Sequence, residues 1–526
     1  MLWLAVARFP LFPCGDLSTV SESSTSRLLR DCFETASTAR ETRITLVPYA
    51  RQIHTRKYCE DRSAAVIMDR AFLNVMILSW GFMLVFTAFQ TMGNIEKTVL
   101  NSISDEFEDF HGNAYVSLAI IYAVFATCNW LTPSYISVTG PRVAIFTGAS
   151  CYVLFIASFF WPHDALLYSM SAIVGIGAAL MWTGHGQYLT ENSDNETISR
   201  NAGIFWAIFQ TSQFAGNLFV FFIFTKPKID KEQRTIVFSV LTGLAVVGTG
   251  VLLVLRRSPP KLLLGEAEGV SNADKELRLP EPRREKPLLA AWNAFVDAIR
   301  LFLTSNMMLL SLTFIYTGLE LTFYSGVYSN SIGFVKALGE DRKKLVGLSG
   351  IFIGVGEVVG GAIFGILASK ISRKCGGWPV ILTGLIVHLF AFISIFLNLP
   401  NDASVTDTDN MGYIETSEIL ALAGSLALGF GDACYNTQVY SLLGVLFANE
   451  SASAFALFKF CQSIAAAISF SYSTKAGLHV QLAVLLVAIF IGTGAFCYVE
   501  YKVKKSKNES PQEIDPALVD ATSGED

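Results

Sequence analysis

From Ala71 to Met92 the chain reads AFLNVMILSWGFMLVFTAFQTM, with no charged residue along its length. A helix of about 20 apolar residues crosses the hydrocarbon core of a bilayer. Comparable blocks recur to the C-terminal end. Length and flanking charge place twelve of them, at 71–92, 114–132, 142–161, 166–189, 201–225, 235–255, 302–327, 345–368, 378–398, 418–445, 452–473 and 479–500. In lipid an unpaired backbone N–H or C=O finds no water, so open sheets are excluded and each block must be a helix. The expected fold is an all-α membrane protein with twelve transmembrane helices.

Composition narrows the function. Apolar residues make up 52% of the chain and charged residues 16%, against about 25% charged in soluble domains. The net charge of −5 offers no basic surface for a nucleic acid. Of nine cysteines, Cys128, Cys151, Cys434, Cys461 and Cys497 lie inside apolar blocks, and no CxxC pair occurs, which argues against a zinc site or disulfide framework. The chain has no GxSxG, HExxH or phosphate-cradling GxxxxGK. Neither an enzyme nor a bound cofactor or metal is expected. The partners are the lipid bilayer and either a small solute or another membrane protein.

Proline and positive charge divide the chain. Ser258–Pro287 carries Pro259, Pro260, Pro280, Pro282 and Pro287, and with its flanks Arg256, Arg257, Lys261, Arg278, Arg283, Arg284 and Lys286. Such a segment is a poor helix and a good linker, so 258–298 is expected to join a half at 68–257 to a half at 299–500. The linker, Lys370–Arg373–Lys374 and the 501–526 tail with Lys502, Lys504, Lys505 and Lys507 fall on one side. The positive-inside rule makes that side, and both termini, cytosolic. Asp105, Glu106, Glu108, Asp109, Asp402, Asp407 and Asp409 fall opposite, while Lys226, Lys228, Lys231 and Arg234 run against the trend. The sequons at Asn195, Asn449 and Asn508 then lie in the cytosol, and none is expected to carry glycan. Residues 1–67 are expected to be a disordered extension: Leu2–Ala7 is too short for a signal peptide, and Asp16, Glu22, Asp31, Glu34 and Glu41 do not suit a transit peptide. Met68 is an alternative start.

The two halves repeat one another. Pro133-Ser-Tyr-Ile-Ser137-Val-Thr-Gly140-Pro-Arg142 follows the second block and Gly365-Ile-Leu-Ala-Ser369-Lys-Ile-Ser372-Arg373-Lys374 the eighth. Gly175-Ile-Gly177 in the fourth mirrors Gly429-Phe-Gly431 in the tenth, and aromatic runs end at Gln210 and Gln462. Two six-helix halves joined by a basic linker resemble the major facilitator architecture. The paired loops resemble its G-x-x-x-D-x-x-G-R-[RK] signature through Gly140 and Arg142, and through Gly365, Arg373 and Lys374. The acid that latches the cytosolic side is replaced by Ser137 and Ser369. FTAFQT (Phe86–Thr91), NAGIFWA (Asn201–Ala207), GLELTFYSGVY (Gly318–Tyr328), GLSGIFIGVGE (Gly347–Glu357) and FALFKFCQS (Phe455–Ser463) are similar to the UNC-93-like branch, a resemblance running from about Phe72 to about Glu500. That branch holds a regulatory subunit of a potassium channel, an escort of nucleic-acid-sensing receptors and orphan transporters. The resemblance therefore implies either alternating-access transport of a small solute, proton-linked if the acids below serve it, or a non-transporting regulator or escort of a channel or receptor.

Charge at the bilayer centre costs about 2.5–3.5 kcal/mol per residue, so it persists where something compensates. Glu320, Glu357, Asp432 and Lys459 fall inside the blocks. The architecture's first, fourth, seventh and tenth helices line its cavity, which makes Glu320 and Asp432 candidates for a proton or solute site. Glu357 and Lys459 read better as intramembrane charge pairing, in which Lys459 neutralises Asp432 or Glu357 and pins helices together. The first half offers uncharged faces instead: Thr87, Gln90, Thr91 and Asn94; Gln210, Gln213 and Asn217; and Trp182 with His185. These could bind a polar solute or hydrogen-bond between helices, at about 0.6 kcal/mol each. His388 reads as peripheral and structural. Gly350, Gly354, Gly356, Gly360, Gly361 and Gly365 form small-xxx-small pairs expected to pack within the second half.

Overall fold

The computed structural model describes residues 46–104, 106–107, 109–223, 231–258, 287–339, 342–473 and 475–509. Contacts divide the chain at Met68, and residues 69–526 form the compact unit treated below. Its helices are α1 (Leu46–Ser104), α2 (Ala114–Cys128), α3 (Thr132–Thr139), α4 (Pro141–Ser158), α5 (Asp164–Glu191), α6 (Ile198–Ile223), α7 (Lys231–Leu253), α8 (Pro287–Phe302), α9 (Ser305–Thr322), α10 (Ser329–Phe334), α11 (Arg342–Cys375), α12 (Trp378–Asn398), α13 (Glu418–Leu446), α14 (Ser451–Ser473) and α15 (Leu478–Glu509). Among the described residues the only strand-like pairing is one bridge, Val335 to Thr408.

Among the described residues ten helices are long and apolar enough to cross a membrane, and α2 with α3 makes an eleventh if that pair, bent by 64°, is one span. The remaining expected span, α6, has 26 residues but carries the polar run Gln210–Gln213. The apolar surface faces out and the charge lies inside, the reverse of a soluble protein. Ile386 and Val487 are 67% and 61% exposed, while Glu320 and Glu357 are 0% exposed. Lipid rather than water is the solvent such a surface fits.

Contacts repeat between the halves. In the first, α5 packs on α4 and α2, and α4 on α7; in the second, α13 packs on α12 and α11, and α12 on α15. Between the halves α6 meets α11 as α14 meets α2, and α6 meets α13 as α14 meets α5. The paired glycines show why. A Cβ on Gly175 would press the Ile121 carbonyl of α2, and one on Gly429 the Ile353 carbonyl of α11. A Cβ on Gly177 would strike Cys151 of α4, and one on Gly431 would strike His388 of α12. These positions stay small because a neighbouring helix occupies the space.

Several expectations change. The two signature segments are helical rather than loops: Thr132–Thr139 is α3, and Gly365–Cys375 completes α11. Gly140, at φ 82°, supplies the break between α3 and α4, and Pro141 starts the next helix where no N–H partner is needed. The linker lies outside the described residues over 259–286, but its last part, from Pro287, is helix α8. Past Pro287 nothing in PLLAAWNAFVDAIRLF breaks a helix, and its Leu288, Leu289 and Trp292 remain exposed. Residues 46–67 of the segment expected to be disordered are helical, since after Pro48 they hold neither Pro nor Gly; residues 1–45 lie outside the described residues. The α11 glycines do not pack only within their own half. Gly356 and Gly360 meet α13 at Leu426, Phe430 and Ala433, whereas Gly354 and Gly361 meet α6 at Gln213, Ala207 and Gly203. A helix period puts these two pairs on different faces.

The seventh expected span is a composite. α9 starts at Thr304, whose hydroxyl caps Met307 N–H, and passes through a π-helical turn, Phe323–Tyr328, into α10. The loop from Asn398 to Ser417 closes over that end, with Lys336 Nζ at 2.6 Å from Asp409 Oδ2 and Arg342 Nη2 at 3.5 Å from Asp407 Oδ2. Lys231 and Arg234, which ran against the charge rule, pair with Glu106. Glu106 is held below the usual carboxylate range chiefly by its hydrogen bond from Arg234.

Candidate functional site

Glu320 sits near the end of α9, just before the π turn; Glu357 is mid-α11 and Asp432 mid-α13. The three carboxyls converge, all at 0–1% exposure, with Glu320 and Glu357 each facing Asp432. The Tyr324 hydroxyl, on the π turn, lies beside Glu357. A π turn shifts the register of the residues after it, and here it brings Tyr324 to the acids. Asn436 donates to Asp432 Oδ1 at 2.8 Å, while Asp432 Oδ2 and both oxygens of Glu320 and of Glu357 have no well-directed hydrogen bond.

His388 is not peripheral. Its Nε2 lies 3.3 Å from Glu320 Oε1 and 3.0 Å from the Leu428 carbonyl, and its Nδ1 lies 2.5 Å from the Tyr316 hydroxyl. Its ring lies flat against Tyr435, 5.8 Å between centroids and 2° between planes. The missing side chain at Gly431 admits it. In the register set by the paired glycines, Asp432 follows Gly431 as Ala178 follows Gly177, Glu357 corresponds to Phe125 (four residues past Ile353 and Ile121), and His388 to Cys151. The charge is thus an elaboration of the second half on a shared frame.

Of the two expected partners of Lys459, Asp432 and Glu357, it is Asp432 that the lysine faces. Its Nζ donates to Gln462 Oε1 at 2.8 Å, whose Nε2 donates to Thr317 at 3.2 Å. Aromatic faces hold the ammonium, with ring centroids at 4.4 Å for Trp182, 4.5 Å for Phe458 and 5.6 Å for Tyr440. Trp182 belongs to the first half, so this contact bridges the halves. His185 stacks on Phe205 at 3.8 Å and lies 5.0 Å from Tyr440, and Trp206 lies 5.9 Å from Tyr440.

The structure places the other expected residues as follows. Gln90 Oε1 accepts from Ser212 at 2.7 Å, tying α1 to α6. Gln210 is buried with its Oε1 unpartnered. Arg142 donates to the Leu255 carbonyl at 3.1 Å, closing the end of α7, and Tyr188 donates to the Arg256 carbonyl at 2.6 Å beside it. Gly365, Arg373 and Lys374 lie on the last turns of α11. One acid escaped the sequence reading altogether. Glu96 lies beyond the Arg70–Gly93 stretch, is 1% exposed and sits near Ser117. Burial raises its carboxyl to about 7, against the lowering effect of the Ser117 hydroxyl. Carrying helix periodicity one turn past the apolar block would have found it.

The family described as "Ion channel regulatory protein UNC-93" matches residues 108–497. The chain belongs to the UNC-93 family. A Xenopus laevis relative, UNC93-like protein MFSD11, is 44% identical over 438 residues, covering 82% of this chain and 97% of its own length. Protein unc-93 homolog A of Bos taurus is 27% identical over 472 residues, covering 82% and 94%. Among solved structures, the Escherichia coli fucose:proton symporter matches at a TM-score of 0.53 and 12% identity, over 82% of this chain and 99% of that one. The proton:xylose symporter XylE matches at 0.55 and 14%, over 83% and 96%. The UNC-93 chain therefore has the major facilitator fold.

Proposed function

We propose that this protein is a proton-linked secondary transporter of a small solute, working by alternating access between its two halves, with the linker end and both termini in the cytosol. One observation carries the reading: three buried carboxyl groups converge where one buried lysine faces only one of them, Asp432. Leaving two carboxylates uncompensated in a low-dielectric interior is prohibitive, so the cluster is neutral only when it holds protons. Facing carboxyls such as Glu320 and Asp432 cannot both ionise and hold one proton between them. Opening to one side lets water and Lys459 share the charge, and the proton leaves; closing again requires its return. His388 turns its Nε2 N–H toward the Leu428 carbonyl and Glu320 Oε1, and so gives the Glu320 carboxylate a donor while the proton is away. The cross-half contacts of Lys459 with Trp182 tie the acids to the interface along which the halves rock. Two fold neighbours named as proton symporters support the reading.

The test is charge movement on a pH jump across reconstituted liposomes on a solid-supported membrane. The wild type is expected to give a transient current that Glu320→Gln and Asp432→Asn abolish while both variants remain monodisperse. A wild type without current, or variants that match it, rejects the reading.

A second reading has its own support in the family description. A regulator would seat a partner's membrane helix, and the apolar groove of about 510 Å³ between α9 and α15, lined by Leu312, Ile315, Val480, Val484, Val487 and Ile491, is the surface for it. Under that reading cavity substitutions are tolerated and bulky residues in the groove abolish co-purification with the partner.

A further inference from the structure

We propose that the buried cluster between the halves formed by Trp182, His185, Trp206, Tyr440 and Lys459 opens to take a small monocarboxylate with an apolar or aromatic body. This names the substrate class of the transporter proposed above and rests on that reading.

The first ground is a set of unmet hydrogen bonds. Buried polar groups ordinarily find partners. Here Trp206 Nε1, both ring nitrogens of His185 and the Tyr440 hydroxyl have none. They come from α5, α6 and α13, and their rings lie 5.0 Å apart for His185 and Tyr440 and 5.9 Å for Trp206 and Tyr440. Trp206 Nε1 is only ever a donor, and the Tyr440 hydroxyl and one His185 nitrogen supply two more. Three donors from three helices suit one group rich in acceptor oxygens.

The second ground is charge. Lys459, 4% exposed, is held by rings and one amide rather than by an ion pair. With rings on its flanks and no carboxylate at ion-pair distance among the described residues, Lys459 Nζ can be reached by an incoming anion even though Asp432 faces it. One lysine without an arginine matches a single negative charge and not a phosphate dianion. A cationic solute would be repelled. The rings packed around the cluster, Phe205 and Trp182 among them, are flat and apolar, and they suit a planar or aliphatic body rather than a sugar.

The placement couples the solute to the proton. Lys459 is the counter-charge of Asp432. When a carboxylate takes Lys459, Asp432 loses that compensation, and a proton from the same bulk solution settles on the Asp432–Glu320 pair. Anion and proton cross together and leave together on opening to the other side, and the proton's entry to and exit from the buried acids is the transient charge movement that the pH jump reads. The groups involved are Glu320, Glu357, His388, Asp432 and Lys459, with Tyr316, Tyr324 and Tyr440 as their hydroxyl neighbours.

The experiment follows tryptophan fluorescence of the purified full-length chain titrated with acetate, lactate, benzoate and octanoate, against benzamide and octanamide. At least one carboxylate is expected to quench saturably, more tightly at acid pH, and its amide at least about tenfold less well, the range set by a hydrogen bond to a charged group. Lys459→Met is expected to weaken binding about tenfold or more. Trp206→Phe keeps an aromatic face but loses the N–H together with the second ring of the indole, and is expected to weaken it about threefold or more. Lys459→Arg keeps the charge and is expected to bind within about threefold of wild type. If no carboxylate binds, or amides bind as well, the proposal is overturned. If binding persists while the pH-jump current is absent, the transport reading fails and the anion site stands; if the current is present and no carboxylate binds, only the anion site fails.

Discussion

Two alanines on one helix separate packing from helix propensity. A Cβ at Gly356 would collide with the Leu426 carbonyl oxygen and come within 2.7 Å of Phe430 N, both backbone atoms of α13. Backbone in a helix cannot swing aside as a side chain does, so α11 and α13 must separate, and overpacking of this kind costs about 1–3 kcal/mol. Replacing a helical glycine returns about 0.5–1 kcal/mol, leaving a net loss of up to about 2 kcal/mol for Gly356→Ala. Gly347, on the same helix, has nothing within 4 Å of its would-be Cβ, so Gly347→Ala keeps only the gain. The two variants should differ by about 1–3 kcal/mol. Thermal unfolding in detergent, followed with a thiol-reactive fluorophore as heat exposes Cys434 and Cys461, both unpaired and buried, reads the difference directly. If Gly356→Ala melts at or above Gly347→Ala, the glycines of α11 are not there to admit α13, and the paired-glycine register falls with them.

Other outcomes follow from charged groups outside the spans. Glu96, raised to about 7, holds a proton in the folded chain that the unfolded chain releases above about pH 4.5, so stability should fall by about 3 kcal/mol as pH rises from 4.5 to 7 and level off beyond. Glu96→Gln should flatten that slope and melt higher than wild type at pH 8; a wild-type slope in the variant counts against the burial of Glu96. Glu106 is lowered by Arg234, so its contribution is present above the ordinary carboxylate range and lost as pH falls through its folded value. Glu106→Gln should therefore melt lower than wild type at pH 7 and alike in strong acid; a gap that persists in acid would assign the effect to something other than the ion pair. If the linker end is cytosolic, as proposed, glycosidase treatment of protein from mammalian cells should leave its gel mobility unchanged, and a shift removed by Asn195→Gln or Asn449→Gln would invert the topology.

How far the residues announced this arrangement depended on the kind of signal. Apolar length is local and additive, so blocks such as Ala71–Met92 and Trp378–Asn398 could be read as helices directly. The repeat was legible because Gly175-Ile-Gly177 and Gly429-Phe-Gly431 answer to the same steric demand in each half. What could not be read was partnership across helices. Glu320, Asp432 and Lys459 were recognisable as buried charge, but that Lys459 would rest on Trp182 of the other half, and not on Glu357, depends on how α14 meets α5. His388 looked isolated because its partners, Glu320 and Tyr316, lie on α9, and only the missing side chain of Gly431 lets it reach them. The π turn at Phe323–Tyr328 left no pattern in the residues, since the helix period is broken there by one residue only. Trp206 and Tyr440 read as ordinary core aromatics because an unmet hydrogen bond is a property of the packed chain.

The central claim is that the buried acids carry a proton that comes and goes. Infrared difference spectra of the reconstituted protein, recorded across a pH step from acid to alkaline, measure that directly through the carbonyl stretch of protonated carboxyl groups. The wild type should lose a carboxylic-acid band on the alkaline side, and Glu320→Gln and Asp432→Asn should each remove part of it. A wild-type spectrum with no titrating carboxyl band, or one that both substitutions leave intact, would contradict the account.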